Sequence, residues 1–250
     1  MPHANGPAQG YTVRISDRAR RVRLLITPRE GLLVVVPRSF PASRVPGIVA
    51  SHAAWIERTL ERTADHRAHL AAHADAAVPE TVSLPGIGAA WRVVKRPGSG
   101  PGVRARLQGE ELVLRGDVDD REACFQALRG AVSRAAKARL PLMLGGIEAE
   151  TGWSATKVTV RRQRTRWGSC SAAHRISLNE SLAFLPPHLV RYVLVHELAH
   201  TQALDHSSRF WGFVEQHEAG WRAARRELRD AWRHVPTWAD PPRTASSDDE

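Results

Sequence analysis

The stretch "RYVLVHELAH", residues 191–200, sets two histidines and a glutamate into a run of Val, Leu and Ala that otherwise reads as a buried helix. Positions four apart on an α-helix lie one above the other. His196 and His200 therefore project from one face, with Glu197 beside them, rotated by about 100°. Val190, Val193, Leu194 and Leu198 keep the other positions apolar, and an unliganded pair of histidines is expensive in such surroundings. The letters spell H-E-x-x-H. Two imidazoles at that spacing can hold one Zn²⁺, while the carboxylate takes a proton from water whose pKa the metal lowers to about 7. A zinc-binding helix is the expectation from which the rest of the chain is read.

Such a site needs at least a third ligand, and His206 in "HTQALDHSSRFW" is the nearest candidate. Six residues on an unbroken helix amount to about 240° of rotation, so the helix must end between His200 and His206. Leu204 and Asp205 are then the turn, with Asp205 in a left-handed conformation and Ser207 or Ser208 capping the next helix. Glu215, His217 and Glu218 on that next helix are the competing ligands. The spacing equals the metzincin H-E-x-x-H-x-x-G-x-x-H, but Ala203 stands where that pattern has Gly and no Met follows for a Met-turn. Three histidines leave a fourth position open to water, which is the mark of a catalytic metal.

Working outward, 250 residues with 42% hydrophobic content can furnish a real core. No run of about 18 apolar residues appears, and the opening "MPHANGPAQGYTVRISDRARR" has no apolar run behind its charges. No membrane association or secretory signal is expected, and the expected location is cytoplasmic. Cys124 and Cys170 lie far apart without a C-x-x-C partner, which argues against a disulfide framework. The net charge of +10 invites anionic partners, although an Arg- and Ala-rich chain also results from G+C-rich coding. From Thr151 to Asn179 there is no Asp or Glu, yet Lys157, Arg161, Arg162, Arg164, Arg166 and Arg175 fall inside. That stretch reads as a local cationic patch, open to nucleic acid.

Residues 11–37 alternate in short apolar runs and predict two or three antiparallel strands. Val45, Ile48, Val49, Ala53, Ile56 and Leu60 then recur at helical spacing and predict one long helix running past Trp55. His66, His69 and His73 share a face of it, but their Arg, Asp and Ala neighbours mark a solvated surface. Residues 81–115 predict a β-meander around the loop "RPGSGPG". From Asp117 the pattern turns helical, with Asp119 or Asp120 as cap and Gly145-Gly146 as breaker. Strand, loop and strand follow, then a helix with Pro187 in its first turn and another from Ser207 or Ser208 to about Trp232. The expected organisation is a disordered N-terminus (1–10), a β-rich N-terminal module with one long helix (11–116), a catalytic domain (117–238) and a disordered acidic tail (239–250). The fold class is α+β.

The run "RRQRTRWGSCSAAHRISLNESLAFLPPHLVRYVLVHELAHTQALDHSSRFW" resembles the YgjP-like metallopeptidase family, relatives of the SprT and WLM zinc-dependent proteases. The likeness extends back through "RARRVRLLITPREGLLVVVPRSF" and "AAWIERTL", so it spans most of residues 11–235. It implies a zincin-like catalytic half, an antiparallel sheet beside the H-E-x-x-H helix, with His196, His200 and His206 as zinc ligands and Glu197 as catalytic base. It also implies that Arg175–Asn179 is a strand beside that helix, where an extended peptide pairs with a sheet edge. Asn179 and the preceding loop residues Arg164, Arg166 and Trp167 are then candidates to contact substrate or to stabilise an oxyanion, the alternative being that Trp167 and Gly168 shape a turn and the arginines are solvated. Cys170 lacks a dedicated base and is not read as a nucleophile.

The leading expectation is a monomeric zinc hydrolase acting on polypeptides. A metal-dependent nucleotide phosphohydrolase is the alternative, with Arg161, Arg162, Arg164 and Arg166 neutralising phosphates. A non-catalytic basic adaptor with structural zinc is the third reading.

Overall fold

The computed structural model describes residues 10–17, 19–27, 31–61, 77–163 and 165–239. The residues before 62 and those from 77 onward pack as two compact units. His66, His69, His73 and Arg164 lie outside the described residues, as does nearly all of the acidic tail.

In the first unit, β1 (Tyr11–Ser16), β2 (Arg23–Thr27) and β3 (Gly31–Pro37) form a sheet in the order β1-β3-β2. The continuous apolar run of β3 makes it the central strand, and Leu32 to Val36 are all buried. β2 pairs with β3 antiparallel, as expected, whereas β1 pairs with β3 in parallel. That direction carries Asp17 to Arg38, one step past the Ser16–Pro37 pairing, where the two form an ion pair. The helix expected after this sheet is interrupted. α1 (Val45–Ser51) ends at His52, and helical backbone resumes over residues 53–61 as α2. Val45 and Ile56 close a small core with Leu32, Val34 and Val36.

In the second unit, β4 (Thr81–Leu84), β5 (Ala89–Pro97), β6 (Val103–Gln108) and β7 (Glu111–Gly116) take the order β4-β5-β7-β6. It is not a meander, because β5 and β7 run parallel with β6 outside them. Its inner face, with Val82, Leu84, Trp91, Leu112 and Leu114, shares one core with Cys124, Phe125, Leu128 and Val132 of α3 (Arg121–Thr151). The boundary expected near Asp117 therefore falls inside this unit.

Asp120 caps α3 as expected, accepting from the Ala123 amide at 3.0 Å. The helix does not stop at Gly145-Gly146. It continues past Pro141 and both glycines to Thr151 and ends on the left-handed Gly152. Buried Leu140, Leu144 and Ile147 outweigh a propensity cost of about 1 kcal/mol per glycine.

A third sheet contains β8 (Lys157–Arg161), β9 (Gly168–Cys170) and β10 (Arg175–Asn179) in the order β8-β10-β9. It is mixed rather than antiparallel. β10 runs parallel to β8 and antiparallel to β9, so β10 is central and β9 is an edge. α4 (Pro187–Ala199) begins with Pro187 as expected. The last predicted helix divides into α5 (Ser208–His217), α6 (Trp221–Glu227) and a 3-10 segment, Leu228–His234. The fold is mixed α+β. Among the described residues, no helix is long and apolar enough to cross a membrane.

Candidate metal centre

α4 delivers His196 from its last turn, and His200 is its C-cap residue with φ −65° and ψ −15°. The chain then leaves the helix, as the position of His206 requires. Asp205 does not make the turn by going left-handed, since His174 is the one non-glycine residue of positive φ among those described. Its carboxylate does the work instead, accepting from the Ser207 hydroxyl at 2.7 Å and the Ser207 amide at 3.4 Å. α5 starts directly after this turn, and the turn sets His206 against His196.

One ligand nitrogen from each of His196, His200 and His206 lies within 4.8 Å of the other two. The Nε2 atoms of His196 and His206 are 3.3 Å apart. Two ligands at about 2.0–2.1 Å from one tetrahedral zinc would stand about 3.3 Å apart, so the pair fits that ion. His200 directs Nδ1 at the Ala203 carbonyl, 3.1 Å away. With the proton on Nδ1, its Nε2 lone pair is free for a metal. The Nδ1 of His196 is buried without a partner, and packing holds that ring instead, with Phe210 at 5.0 Å and Tyr192 at 5.7 Å between centroids. Phe210 also stacks on His200 at 4.4 Å.

Electrostatics keeps the His196 and His200 rings in the form that ligates. Burial pushes His196 down to about 3, and the neighbouring His200 and His206 add to the shift. Burial likewise lowers His200, opposed by its bond to the Ala203 carbonyl. Neutral imidazole is the form a metal requires.

Glu197 is 6% exposed. Burial raises its carboxyl to about 8, opposed by the positive charge of Arg166. The carboxyl lies so close to β9 that a Cβ on Gly168 would come within 2.7 Å of its Cγ and Oε1. A signal for this contact is absent locally, because the two residues meet only through the packing of α4 on β9.

The remaining candidates fall elsewhere. Glu215 is paired with Arg222, Glu218 with Arg191, and His217 packs edge-on against Trp153. Trp167 is buried in the core and stacks on Trp232 at 4.2 Å. Asn179 is fully buried. It donates to the Gln163 and Arg166 carbonyls at 2.6 and 2.9 Å and accepts from the Ser181 amide at 3.0 Å. It organises the loop before β9. Arg166 is exposed and near enough to act on Glu197.

Arg161 and Arg162 are engaged with Ser177 at 2.7 Å and buried Glu180 at 2.8 Å. The expected cationic patch is thus partly consumed within the fold. The Cys170 thiol is pushed up to about 11 by burial and by Glu197, which keeps it protonated and a poor nucleophile.

A family model described as "YgjP-like, metallopeptidase domain" matches residues 20–231. The crystal structure of the metallopeptidase zymogen of Pyrococcus abyssi abylysin matches at 30% identity over 36% of this chain and 90% of that one. Its TM-score of 0.32 is too low to speak for the fold. No curated protein matches.

Proposed function

The chain belongs to the YgjP-like metallopeptidase family, and from that premise we propose that it is a zinc-dependent peptidase whose metal is held by His196, His200 and His206. The observation that carries this reading is the convergence of three imidazole nitrogens within 4.8 Å, with the buried Glu197 beside them. A bound zinc ion supplies Lewis acidity, which acidifies water and polarises a carbonyl.

The chain's own groups do the rest. Glu197 takes the proton of the attacking water on a carboxylate oxygen and returns it to the leaving amine nitrogen. Burial raises this carboxyl in the metal-free chain, and the positive charge of Arg166 favours the ionised form needed to accept the proton, as a bound cation would. The substrate strand pairs with the free edge of β9 rather than with β10, whose two edges are already occupied. Gly168, on that edge and against Glu197, lets a peptide backbone approach the carboxyl without an intervening side chain.

The phosphohydrolase reading has less support, because two of the arginines it needs are bound to Ser177 and Glu180. The test compares metal content and hydrolysis of an unfolded protein substrate. Glu197→Gln should keep about one zinc per chain and lose at least 10³-fold in kcat. His206→Ala should lose both metal and activity. Turnover by Glu197→Gln at the wild-type rate would sink the assignment of the base, and stoichiometric zinc in His206→Ala would sink that of the ligand.

A further inference from the structure

Arg161 and Arg162 of the expected cationic patch are engaged within the fold, but a second group of arginines is not. On β5, β7 and β6 the register sets Arg96 opposite Arg115 and Arg115 opposite Arg104. These three stand in one row across neighbouring strands about 4.8 Å apart, and Arg106 follows two residues along β6 on the same face. That face is the outer one, since Leu112 and Leu114 of β7 point into the core against α3. All four arginines are exposed. Among the described residues none of them has an ion pair or hydrogen bond, and Glu111, an acid on this face, is held by Arg92.

Like charges directly opposite one another destabilise a sheet, so this row works against folding stability unless an anion neutralises it. The four arginines and the glycine-rich loop 98–102 line one cavity of about 450 Å³. Positive φ at Gly100 (120°) and Gly102 (76°) leaves this backbone bare, with nothing within 4 Å of where a Cβ would stand. Glycine-rich backbone beside guanidinium groups is suited to phosphate oxygens. An extended acidic peptide spreads its carboxylates over alternating faces, whereas a run of phosphates presents charge as densely as this row does.

We propose that the cavity is a phosphate-binding site that takes several adjacent phosphate groups, as in a polyphosphate chain or a nucleic-acid backbone. The inference is independent of the peptidase reading, because it uses no residue of the metal centre.

The test uses the full chain with three probes: tripolyphosphate, a labelled 12-nucleotide single strand, and a poly-glutamate peptide. R96Q/R104Q/R115Q is compared with wild type and with R226Q/R229Q, which removes exposed charge elsewhere on the same unit. Wild type and R226Q/R229Q should bind a phosphate probe, and the triple variant should bind it at least tenfold more weakly. For the oligonucleotide, the slope of log affinity against log salt should fall by about 2 in the triple variant. Without any probe, the triple variant should melt at or above the wild-type temperature, and tripolyphosphate should no longer raise it.

Binding of tripolyphosphate alone assigns the site to free polyphosphates, and binding of the oligonucleotide assigns it to a nucleic-acid backbone. The proposal is overturned by any of four results: neither phosphate probe binding, poly-glutamate binding equally well, equal loss in R226Q/R229Q, or wild-type affinity in the triple variant.

Discussion

Glu197 is a carboxyl that folding removes from water, and its protonation should be visible in stability. Its ordinary value of 4.5 rises to about 8 in the fold. The neutral form is favoured in the native state, so its contribution is full below 4.5, the unfolded value, and lost as pH rises through 8. In chelator, the stability of wild type relative to Glu197→Gln should therefore fall between pH 5 and pH 8, by up to about 1.4 kcal/mol per pH unit. Thermal melts of both proteins at pH 5, 6.5 and 8 measure this, and parallel curves would contradict the burial of a titrating carboxyl. The H-E-x-x-H residues were legible because period-3.6 geometry is local. The burial of Asn179, expected as a substrate contact, was not legible, because its three partners at 163, 166 and 181 come together with it only when β8 and β10 pair.

The pairing of an edge strand with a helix makes a sharper demand on a single glycine. A Cβ at Gly168 of β9 would meet the Glu197 carboxyl of α4 at 2.7 Å, so Gly168→Ala must push the carboxyl from its position. Displacement of a reacting group by about 1 Å costs on the order of 10²-fold in rate. Gly168→Ala should lose that much kcat while keeping its zinc, and wild-type kcat in the variant would show that the approach is not needed. Local capping signals read true for α3 and α4, at Asp120 and Pro187. The glycine breaker at 145 and 146 did not, because a local propensity of this size yields to three buried side chains on the same helix.

Across the second unit, the turn between β4 and β5 is wedged against the segment leading into α4. A Cβ on Gly86 would fall 2.1 Å from the Leu182 carbonyl oxygen and 2.9 Å from that of Leu185. Both are backbone atoms, so Gly86→Ala forces the segment before α4 to move. Overpacking of this kind costs about 1–3 kcal/mol or more, and because α4 carries His196 and His200, zinc affinity should weaken with it. Denaturant unfolding and competitive metal titration test the two effects together. Loss of stability with unchanged zinc affinity would show that the turn supports the core without positioning the helix.

The residues of the candidate site were written in the order of the letters. The spacing of His196, Glu197 and His200 on one helix, and the need for that helix to end before His206, follow from the rise and rotation of the α-helix alone. So does the α+β class, since runs of period 2 and period 3.6 are separately visible. Strand direction, the central place of β10, the free edge of β9 and the burial of Trp167 and Asn179 could not be read in that way. They depend on which distant segments exclude water from one another, and the alternation of a strand is the same whichever neighbour it pairs with.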